Sequence, residues 1–280
     1  MIRVTASTPV LSYIPFSVVR EMLMDNPRKH DRTSWLQGPP ETCSTVPPAV
    51  DNPWRLILLG APGVGKGTQA ALLRKELHAC HLSTGDVFRA AKGRSECDLT
   101  PAMKSALDYM HRGELVPDSF VLAMVRERAA CLRCRGGFIL DGFPRTVEQA
   151  ESLNLLLHDE RVHLTAVINY ELPVGEIVAR LSGRLTCQRC KAVFHGTERP
   201  PKVTGSCDIC EGKLNQREDD RQESVRVRLD AYDRSTFPLI QFYKRSALLL
   251  TVAAAGTPQD VCSKTLTALH AWRSRYIASA

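Results

Sequence analysis

Residues Gly60-Ala-Pro-Gly-Val-Gly-Lys-Gly-Thr68 decide the fold of this chain. They follow an apolar run at residues 56–59 and precede a helix-compatible segment at residues 69–77. A glycine-rich turn between a strand and a helix directs several backbone N–H groups at one point, and the helix dipole and a lysine add positive charge there. The stretch therefore predicts a phosphate-binding loop. The usual pattern has a hydroxyl directly after the lysine, but here Gly67 takes that place and Thr68 follows it.

The composition is that of an ordinary globular protein. The 280 residues are 44% hydrophobic and 24% charged, which allows a sizeable core. No run of about eighteen apolar residues is present, so we expect no membrane-spanning helix and no membrane partner. The net charge is +7, and because arginines cluster near the phosphate-type motifs, it indicates highly charged substrates rather than nucleic acid. Ten cysteines without a secretory signal indicate reduced thiols or a metal site.

The first 52 residues differ from the rest of the chain. They are rich in proline and have no sustained helical or strand period, so we expect a disordered or loosely packed extension. Residues 1–20 also match a mitochondrial transit peptide weakly. We therefore expect a cytoplasmic location, with a mitochondrial location through this extension as the alternative.

From residue 54 onward, short apolar runs alternate with amphipathic stretches, which is typical of an α/β fold with a parallel sheet. The apolar runs predict strands at residues 55–59, 138–140, 166–169 and 248–253. The amphipathic stretches predict helices at residues 65–78, 101–112, 119–131, 147–157, 174–181 and 223–235. Residues 83–118 and 184–216 interrupt the alternation, and we interpret them as insertions into one core. The second insertion has a composition too irregular for a helix or a strand layer.

Four cysteines in that insertion form two C-x2-C pairs separated by sixteen residues: Cys187, Cys190, Cys207 and Cys210. Each pair can present two thiolates to one cation, which predicts a closed, structural zinc site without a catalytic role. Another such pair, Cys131-Leu-Arg-Cys134, has no partner pair at suitable spacing, and we interpret it as the end of a helix.

Three further segments extend the pattern: His81-Leu-Ser-Thr-Gly-Asp-Val-Phe-Arg89, Gly137-Phe-Ile-Leu-Asp-Gly-Phe-Pro-Arg-Thr146 and Arg217-Glu-Asp-Asp-Arg221. Together with the phosphate-binding loop they resemble adenylate kinases of the long, lid-bearing type, and the cysteine insertion resembles the zinc-binding variant of that lid. The resemblance covers residue 54 to about residue 262.

The resemblance implies a P-loop nucleoside monophosphate kinase, a three-layer α/β/α fold with a parallel sheet, a helical AMP-binding insertion and a small zinc-binding lid. The extension would then be residues 1–52 and the kinase domain residues 53–280. Within that domain, the core would comprise residues 53–82, 117–182 and 221–280, the AMP-binding insertion residues 83–116 and the lid residues 183–220.

The same resemblance implies the residues of each nucleotide site. The ATP-binding set would be Gly63, Val64, Gly65, Lys66, Gly67, Thr68, Arg180, Arg184, Val193, Phe194 and Gly256. The AMP-binding set would be Thr84, Arg89, Glu114, Leu115, Val116, Gly142, Phe143, Pro144, Arg145, Gln149, Arg217 and Arg228. Phe194 would offer a stacking face to the adenine of ATP, Arg145 a planar fork to the AMP phosphate, and Gln149 an amide to the acceptor adenine.

Phosphoryl transfer between two nucleotides needs positioning and charge stabilisation more than covalent chemistry. The catalytic set implied by the resemblance is Lys66, Asp141, Arg145, Arg184, Arg217 and Arg228. Asp141 stands at the end of a predicted strand, and we expect it to hold Mg²⁺ through water together with Asp86.

The expected reaction is reversible transfer between Mg·ATP and AMP to give two ADP, by a monomer, in the balance of adenine nucleotides. One alternative is the same fold acting on GTP and AMP or on another monophosphate. A remote alternative is a nucleotide-regulated protein whose zinc knuckle contacts nucleic acid. Gly67 argues against that switch, because a switch needs a hydroxyl there to hold magnesium.

Overall fold

Two sheets and seven α-helices organise the part of the chain that the computed structural model describes, residues 50–85, 108–109, 112, 114–127, 132, 136–190 and 192–278. The strands are β1 (Trp54–Leu59), β2 (Cys80–Ser83), β3 (Gly137–Asp141), β4 (Ala166–Glu171), β5 (Arg184–Cys187), β6 (Val193–His195), β7 (Leu214–Asn215) and β8 (Leu249–Ala253). The helices are α1 (Lys66–Leu77), α2 (Asp118–Glu127), α3 (Val147–Asp159), α4 (Val174–Ser182), α5 (Gln222–Ala231), α6 (Pro238–Arg245) and α7 (Pro258–Ala278).

The larger sheet is parallel, with the strand order β2-β3-β1-β4-β8. The central strand β1 places Leu58 opposite Asp141 of β3 and Ile168 of β4. Nearly all of its residues are buried, as expected for a strand that is covered on both faces. Because the strands are parallel, the carboxyl ends of β1, β2 and β3 share one edge of the sheet, where the loops that follow them meet.

Helices cover both faces of this sheet. Leu56 and Leu58 of β1 belong to one buried cluster with Leu73 of α1 and Leu269 of α7. Ile57 lies between the two leucines, is fully buried, and faces the opposite side, because successive strand residues alternate. The predicted three-layer α/β/α fold with a parallel sheet is confirmed.

The cysteine-rich insertion contains the second sheet, in which β5 pairs antiparallel with β6 and with β7. The prediction that this stretch is too irregular for strands was therefore wrong. Its strands are only 2 to 4 residues long, too short for a hydrophobic period to be visible. Their small core consists of Cys187, Phe194, Cys207 and Leu214. Cysteines therefore supply much of the interior that apolar residues supply elsewhere.

The other predicted elements agree with the structure to within a few residues wherever they are described. The helix predicted at residues 223–235 ends as α5 at Ala231 and continues as a π-helical turn, Tyr232–Thr236, to α6. β2, α6 and α7 were not predicted, because β2 has only 4 residues and α7 has no pronounced apolar face.

Some sequence-based expectations lie outside the described residues. These are the structure of residues 1–49, most of the helix predicted at residues 101–112, and the pair Cys131 and Cys134. The proposed domain boundaries remain predictions. In the described part of the chain, no helix has both the length and the apolar character needed to cross a membrane.

Candidate functional site

The loop between β1 and α1 has the backbone shape of an anion-binding turn. Gly63 and Gly65 have φ values of 85° and 104°, in the left-handed region that favours glycine. A Cβ atom at Gly63 would also lie 2.6 Å from Cγ of Leu181, so α4 packs directly on the loop. Val64 is buried, and α1 begins directly after Gly65, so its free N–H groups face the loop. These residues can hold an anion at the helix N-terminus.

Lys66 is folded back over this loop. Its Nζ donates to the carbonyl oxygens of Gly60 at 2.6 Å and of Ala61 at 3.0 Å. Burial lowers the pKa of Lys66 from 10.5 to about 8. A fraction of Lys66 is therefore neutral at physiological pH, and the binding of phosphates beside it would favour the protonated form.

Four other charged groups act on Lys66. The Asp141 carboxylate raises the lysine pKa, whereas three guanidinium groups lower it, those of Arg145, Arg228 and Arg184. These four groups come from β3, the loop after β3, α5 and β5. Chain elements far apart in sequence thus bring five of the six predicted catalytic residues to one place.

Asp141 lies at the carboxyl end of β3, beside the phosphate-binding loop. A Cβ atom at Gly67 would be 3.4 Å from Oδ2 of Asp141, so the glycine leaves the space beside this carboxylate open. Nε2 of His81 lies 3.6 Å from the same oxygen and is buried without a hydrogen-bond partner. The sequence analysis assigned no role to His81. Asp86, the other predicted magnesium residue, lies outside the described residues.

Asp220 gathers the arginines that come from the lid and from α5. Its side chain is fully buried and accepts hydrogen bonds from both Nε and Nη2 of Arg184. Nη1 of Arg228 donates to Asp220 at 3.1 Å and to the carbonyl oxygen of Asp219 at 2.7 Å. Arg217 Nε donates to Oγ1 of Thr186 on β5 at 2.9 Å. The carboxylates of Asp219 and Asp220 thus orient arginines.

Two side chains connect the region after β8 with the phosphate-binding loop and with α1. Nη2 of Arg180 donates to the carbonyl oxygen of Ala254 at 3.1 Å, and Nη1 lies 3.5 Å from that of Val64. Nε2 of Gln69 on α1 donates to the carbonyl oxygen of Pro258 at 2.9 Å. Gly256, with a φ of 106°, lies in this loop. Of the predicted ATP residues, Arg180 thus lies next to the phosphate-binding loop and Gly256 lies in the loop after β8, whereas Thr68 is half-buried in the first turn of α1.

On the other side of Asp141, a tight turn presents Arg145. Gly142 has a φ of 82°, and its carbonyl oxygen accepts from Oγ1 of Thr84 and from Nε of Arg145, each at 2.9 Å. The Phe143–Pro144 peptide bond is cis, and both side chains are largely enclosed, with Phe143 fully buried. This turn directs the Arg145 guanidinium towards the end of the sheet.

Gln149 does not present its amide to a free space. Its side chain is 1% exposed, its Nε2 donates to Oδ1 of Asp118 at 2.6 Å, and its Oε1 accepts from the backbone N–H of Arg145 at 2.7 Å. The amide thus holds the Arg145 turn, and the contact of Gln149 with an adenine edge stays a prediction. Oδ2 of Asp118 also accepts from Oγ1 of Thr146 at 2.9 Å. Asp118 was missed because its partners are 28 and 31 residues away.

The remaining predicted acceptor residues differ in their exposure. Val116 is buried, Leu115 is half-buried, and Glu114 is exposed in an ion pair with Arg112 at 2.9 Å. A hydrogen bond from Arg112 lowers the pKa of Glu114. Arg89 lies outside the described residues.

Phe194 faces inward within the lid. The ring is 8% exposed and packs in the lid cluster with Cys187 and Leu214, and the Arg199 guanidinium lies 5.8 Å from its centroid. The small lid thus uses the ring as core, and the stacking of Phe194 on the adenine of ATP stays a prediction. Val193, beside it on β6, is half-buried.

The four lid cysteines are gathered as a metal site requires. Their sulfur atoms all lie within 4.8 Å of one another, with Sγ···Sγ distances of 3.5 Å for Cys187–Cys210 and for Cys190–Cys207. Burial opposes ionisation of Cys187, but hydrogen bonds from the backbone at Cys190 and Arg189 outweigh it and lower its pKa to about 6. Burial and the neighbouring thiols raise the pKa of Cys190 to about 12. A divalent cation would compensate the negative charge of the cysteine thiolates, and a set of four thiolates suits zinc.

The chain is similar to known proteins along most of its length. A family model described as adenylate kinase matches residues 58–248. The adenylate kinase of Streptomyces griseus subsp. griseus is 46% identical over 218 residues, which is 78% of this chain and 98% of that protein. That of Acidothermus cellulolyticus is 46% identical over 218 residues, 78% of this chain and 99% of that protein. That of Desulforamulus reducens is 48% identical over 197 residues, 70% of this chain and 91% of that protein.

Proposed function

Since the chain belongs to the adenylate kinase family, we propose that its site transfers the terminal phosphoryl group of Mg·ATP to AMP, reversibly, to give two ADP. Membership of the family makes the chain a nucleoside monophosphate kinase. The proposal concerns which residues hold each nucleotide and how they act. It is supported most by one observation, the convergence of Asp141, Arg145, Arg184 and Arg228 on Lys66.

On the donor side, the loop of residues 63–68 holds the ATP phosphates with its backbone N–H groups. Lys66, which now donates to Gly60 and Ala61, turns to the phosphate that is transferred. Arg180 donates to Ala254 in the loop after β8, and Gly256 belongs to the same loop, so this loop is where the nucleoside of ATP would lie.

Magnesium fits the donor set at Asp141. Mg²⁺ in phosphoryl-transfer sites keeps several waters and is held by one or two carboxylates together with phosphate oxygens. Asp141 is one such carboxylate, and the missing side chain of Gly67 leaves room beside its Oδ2. Bound there, the ion neutralises phosphate charge. Asp141 would hold the ion through water, and the absence of a side chain at Gly67 would leave room for that water.

On the acceptor side, Arg145 receives the phosphate of AMP. The Gly142 turn and Gln149 fix the backbone around Arg145, so its guanidinium is positioned before the ligand binds. Thr84 is held by the same turn and lies within the part of the site that would contact AMP.

The arginines of the lid and of α5 act between the two phosphate chains. Arg184 and Arg228 are oriented by Asp220, and Arg217 extends from the end of the lid. Fixed positive groups stabilise the charge that spreads over the transferred phosphoryl group and exclude water when the lid closes.

The cysteine cluster is proposed to hold one structural zinc ion through Cys187, Cys190, Cys207 and Cys210. The support is the chemistry of the donor set and its geometry, four sulfur atoms within 4.8 Å. Four protein ligands close the coordination shell, so zinc stabilises the lid fold and takes no part in the reaction.

The test is a coupled assay with ATP or GTP as donor and AMP, GMP, CMP or UMP as acceptor. Turnover of ATP with AMP alone would support the proposal, and a preference for another pair would overturn it in favour of a different monophosphate kinase. Arg145→Ala should lower turnover by about a thousandfold or more without loss of folding. The proposed monomer is checked by light scattering with and without nucleotides.

A further inference from the structure

His195, the last residue of β6, uses both of its ring nitrogen atoms. Nδ1 accepts hydrogen bonds from the backbone N–H groups of Thr197 at 3.3 Å and of Glu198 at 3.0 Å. Because Nδ1 is an acceptor, the proton of the neutral ring is assigned to Nε2. Nε2 lies 3.2 Å from the carbonyl oxygen of Ala179 and donates to it.

These contacts join the lid to the core at the point where the chain passes between them. Ala179 belongs to the last turn of α4, and Gly183 connects α4 to the first lid strand, β5. The ring lies directly on Gly183, since a Cβ atom there would be 2.2 Å from Nε2 of His195. The N–H of Gly196 also donates to the carbonyl oxygen of Gly183 at 2.8 Å. The His195 side chain and the Gly196 backbone thus both hold the connection between α4 and β5.

We propose that His195 is a positioning residue of the lid hinge: its bond to Ala179 sets the angle at which the lid leaves α4. In the β5–β6 pair, His195 stands directly opposite Arg184, so a change of this angle moves Arg184 relative to Lys66. The inference rests on the proposed function, in which lid arginines close over the ATP phosphates. No role in the chemical step is assigned to the imidazole.

A half-exposed contact of this kind is suited to a part of the fold that moves. His195 is half-buried, so its bond to Ala179 competes with water and can break and form again. The lid core and the cysteine cluster do not include His195. Loss of the bond should therefore alter lid movement and donor binding without unfolding the lid.

The two bonds can be separated by amide side chains of different length. In His195→Asn, the amide oxygen can replace Nδ1 and retain the turn at residues 197–198, but no donor reaches Ala179. In His195→Gln, the longer side chain can place its amide N–H where Nε2 donates to Ala179. It then leaves no acceptor for the N–H groups of residues 197 and 198, so the turn is lost. His195→Ala loses both. Zinc content and the melting temperature of each variant show whether the lid is still folded.

Two readouts test the proposal. Amide hydrogen exchange at Gly196, measured by NMR without nucleotide, should accelerate by about tenfold or more in His195→Ala and His195→Asn, and stay normal in His195→Gln. In the same two variants, KM for ATP should rise by roughly threefold to tenfold, with KM for AMP unchanged.

Other outcomes overturn the proposal. Normal behaviour of His195→Asn with a defective His195→Gln would assign the effect to the turn and not to the hinge bond. Equal defects in His195→Asn and His195→Gln would also contradict the proposal. So would normal exchange and kinetics in all three variants. Altered exchange at Gly196 without a change in KM for ATP would contradict it as well. If the protein does not use ATP with AMP, the exchange experiment still tests the hinge, so the two failures are distinguished.

Discussion

The buried carboxylate of Asp220 lies 3.1 Å from Nη1 of Arg228, and it also accepts hydrogen bonds from Arg184. Both arginines are less than a quarter exposed. The carboxylate therefore separates two like charges that would otherwise repel each other in a poorly solvated place. The Asp220 carboxylate therefore allows the guanidinium groups of Arg184 and Arg228 to lie near the ammonium group of Lys66 in the absence of phosphate.

Asp220→Asn should lower both stability and turnover. Removing one partner of a buried ion pair typically costs about 3 to 5 kcal/mol, because the remaining charge stays buried without compensation. Since each arginine is partly exposed, we expect the lower end of this range, measured by urea unfolding. The matched control is Asp219→Asn, whose carboxylate is 18% exposed and lies 3.3 Å from Arg228. Equal losses in the two variants would contradict the role given to Asp220.

Nucleotide binding should be accompanied by proton uptake at Lys66. Burial lowers the pKa of Lys66 to about 8, and phosphates placed beside it should raise that pKa again. At pH 8 we expect an uptake of about half a proton per ATP. The measurement is calorimetric titration with Mg²⁺ and a non-hydrolysable ATP analogue in buffers of different ionisation enthalpy. Lys66→Arg, which carries a permanent charge, should bind without uptake; the same uptake in this variant would assign the proton to another group.

The same shift has a consequence for the stability of the free protein. An unfolded chain keeps the lysine proton up to the ordinary pKa of 10.5, whereas the folded chain loses it at about 8. Between these values the unfolded state binds more protons, so the contribution of Lys66 to stability becomes more favourable as the pH rises. The difference in unfolding free energy between the wild type and Lys66→Arg should therefore grow from pH 8 to pH 10.5.

Removal of zinc should unfold the lid and leave the core intact. The lid interior consists of two of the cysteines with Phe194 and Leu214, which is too little apolar surface to fold alone. After chelation, we expect amide exchange protection to be lost in residues 184–216 and retained in β1 and β4. Cys207→Ser should behave like the chelated protein, with a zinc content well below one per chain. Full protection of the lid in metal-free protein would contradict the assignment.

Much of this site follows from local rules that can be applied to a sequence. The glycines and Lys66 predict the phosphate-binding loop. Asp141 is predicted from its place at the end of a buried strand, where parallel sheets bind their ligands. The four lid cysteines follow from their spacing. The three-layer core follows from alternating apolar runs.

Sequence patterns alone do not show where a side chain is used by a distant part of the fold. Gln149 carries an amide that a sequence motif connects with a base, yet Asp118 and the Arg145 backbone take up that amide. Phe194 is an aromatic residue in a lid so small that its ring is needed as core. The strands of the lid are too short to show a hydrophobic period in the sequence. The hydrogen-bond partners of Asp118 and Asp220 are brought to them only by the tertiary structure.

Asp118 should act on AMP binding through the residues that it holds. It accepts hydrogen bonds from Gln149 and Thr146, and Gln149 in turn accepts from the N–H of Arg145. In Asp118→Ala, these groups lose their anchor, and kcat/KM for AMP should fall by about tenfold, with KM for ATP unchanged. Asp118→Asn keeps one acceptor and should be intermediate. A change in KM for both nucleotides would indicate a general loss of structure instead.

The conformation at Gly142 should not tolerate a side chain. Its φ of 82° is strained for other residues, and a Cβ atom would lie 2.8 Å from Oγ1 of Thr84 and 3.2 Å from Nη2 of Arg145. Gly142→Ala should therefore displace Arg145 and lower turnover with AMP by at least about a hundredfold, with a loss of stability of about 1 to 3 kcal/mol. The control is Gly175→Ala in α4, where a Cβ atom would have nothing within 4 Å. That variant should be fully active and more stable by about 0.5 to 1 kcal/mol, because alanine favours a helix. Normal turnover of Gly142→Ala with AMP would mean that this turn does not position Arg145 for the reaction.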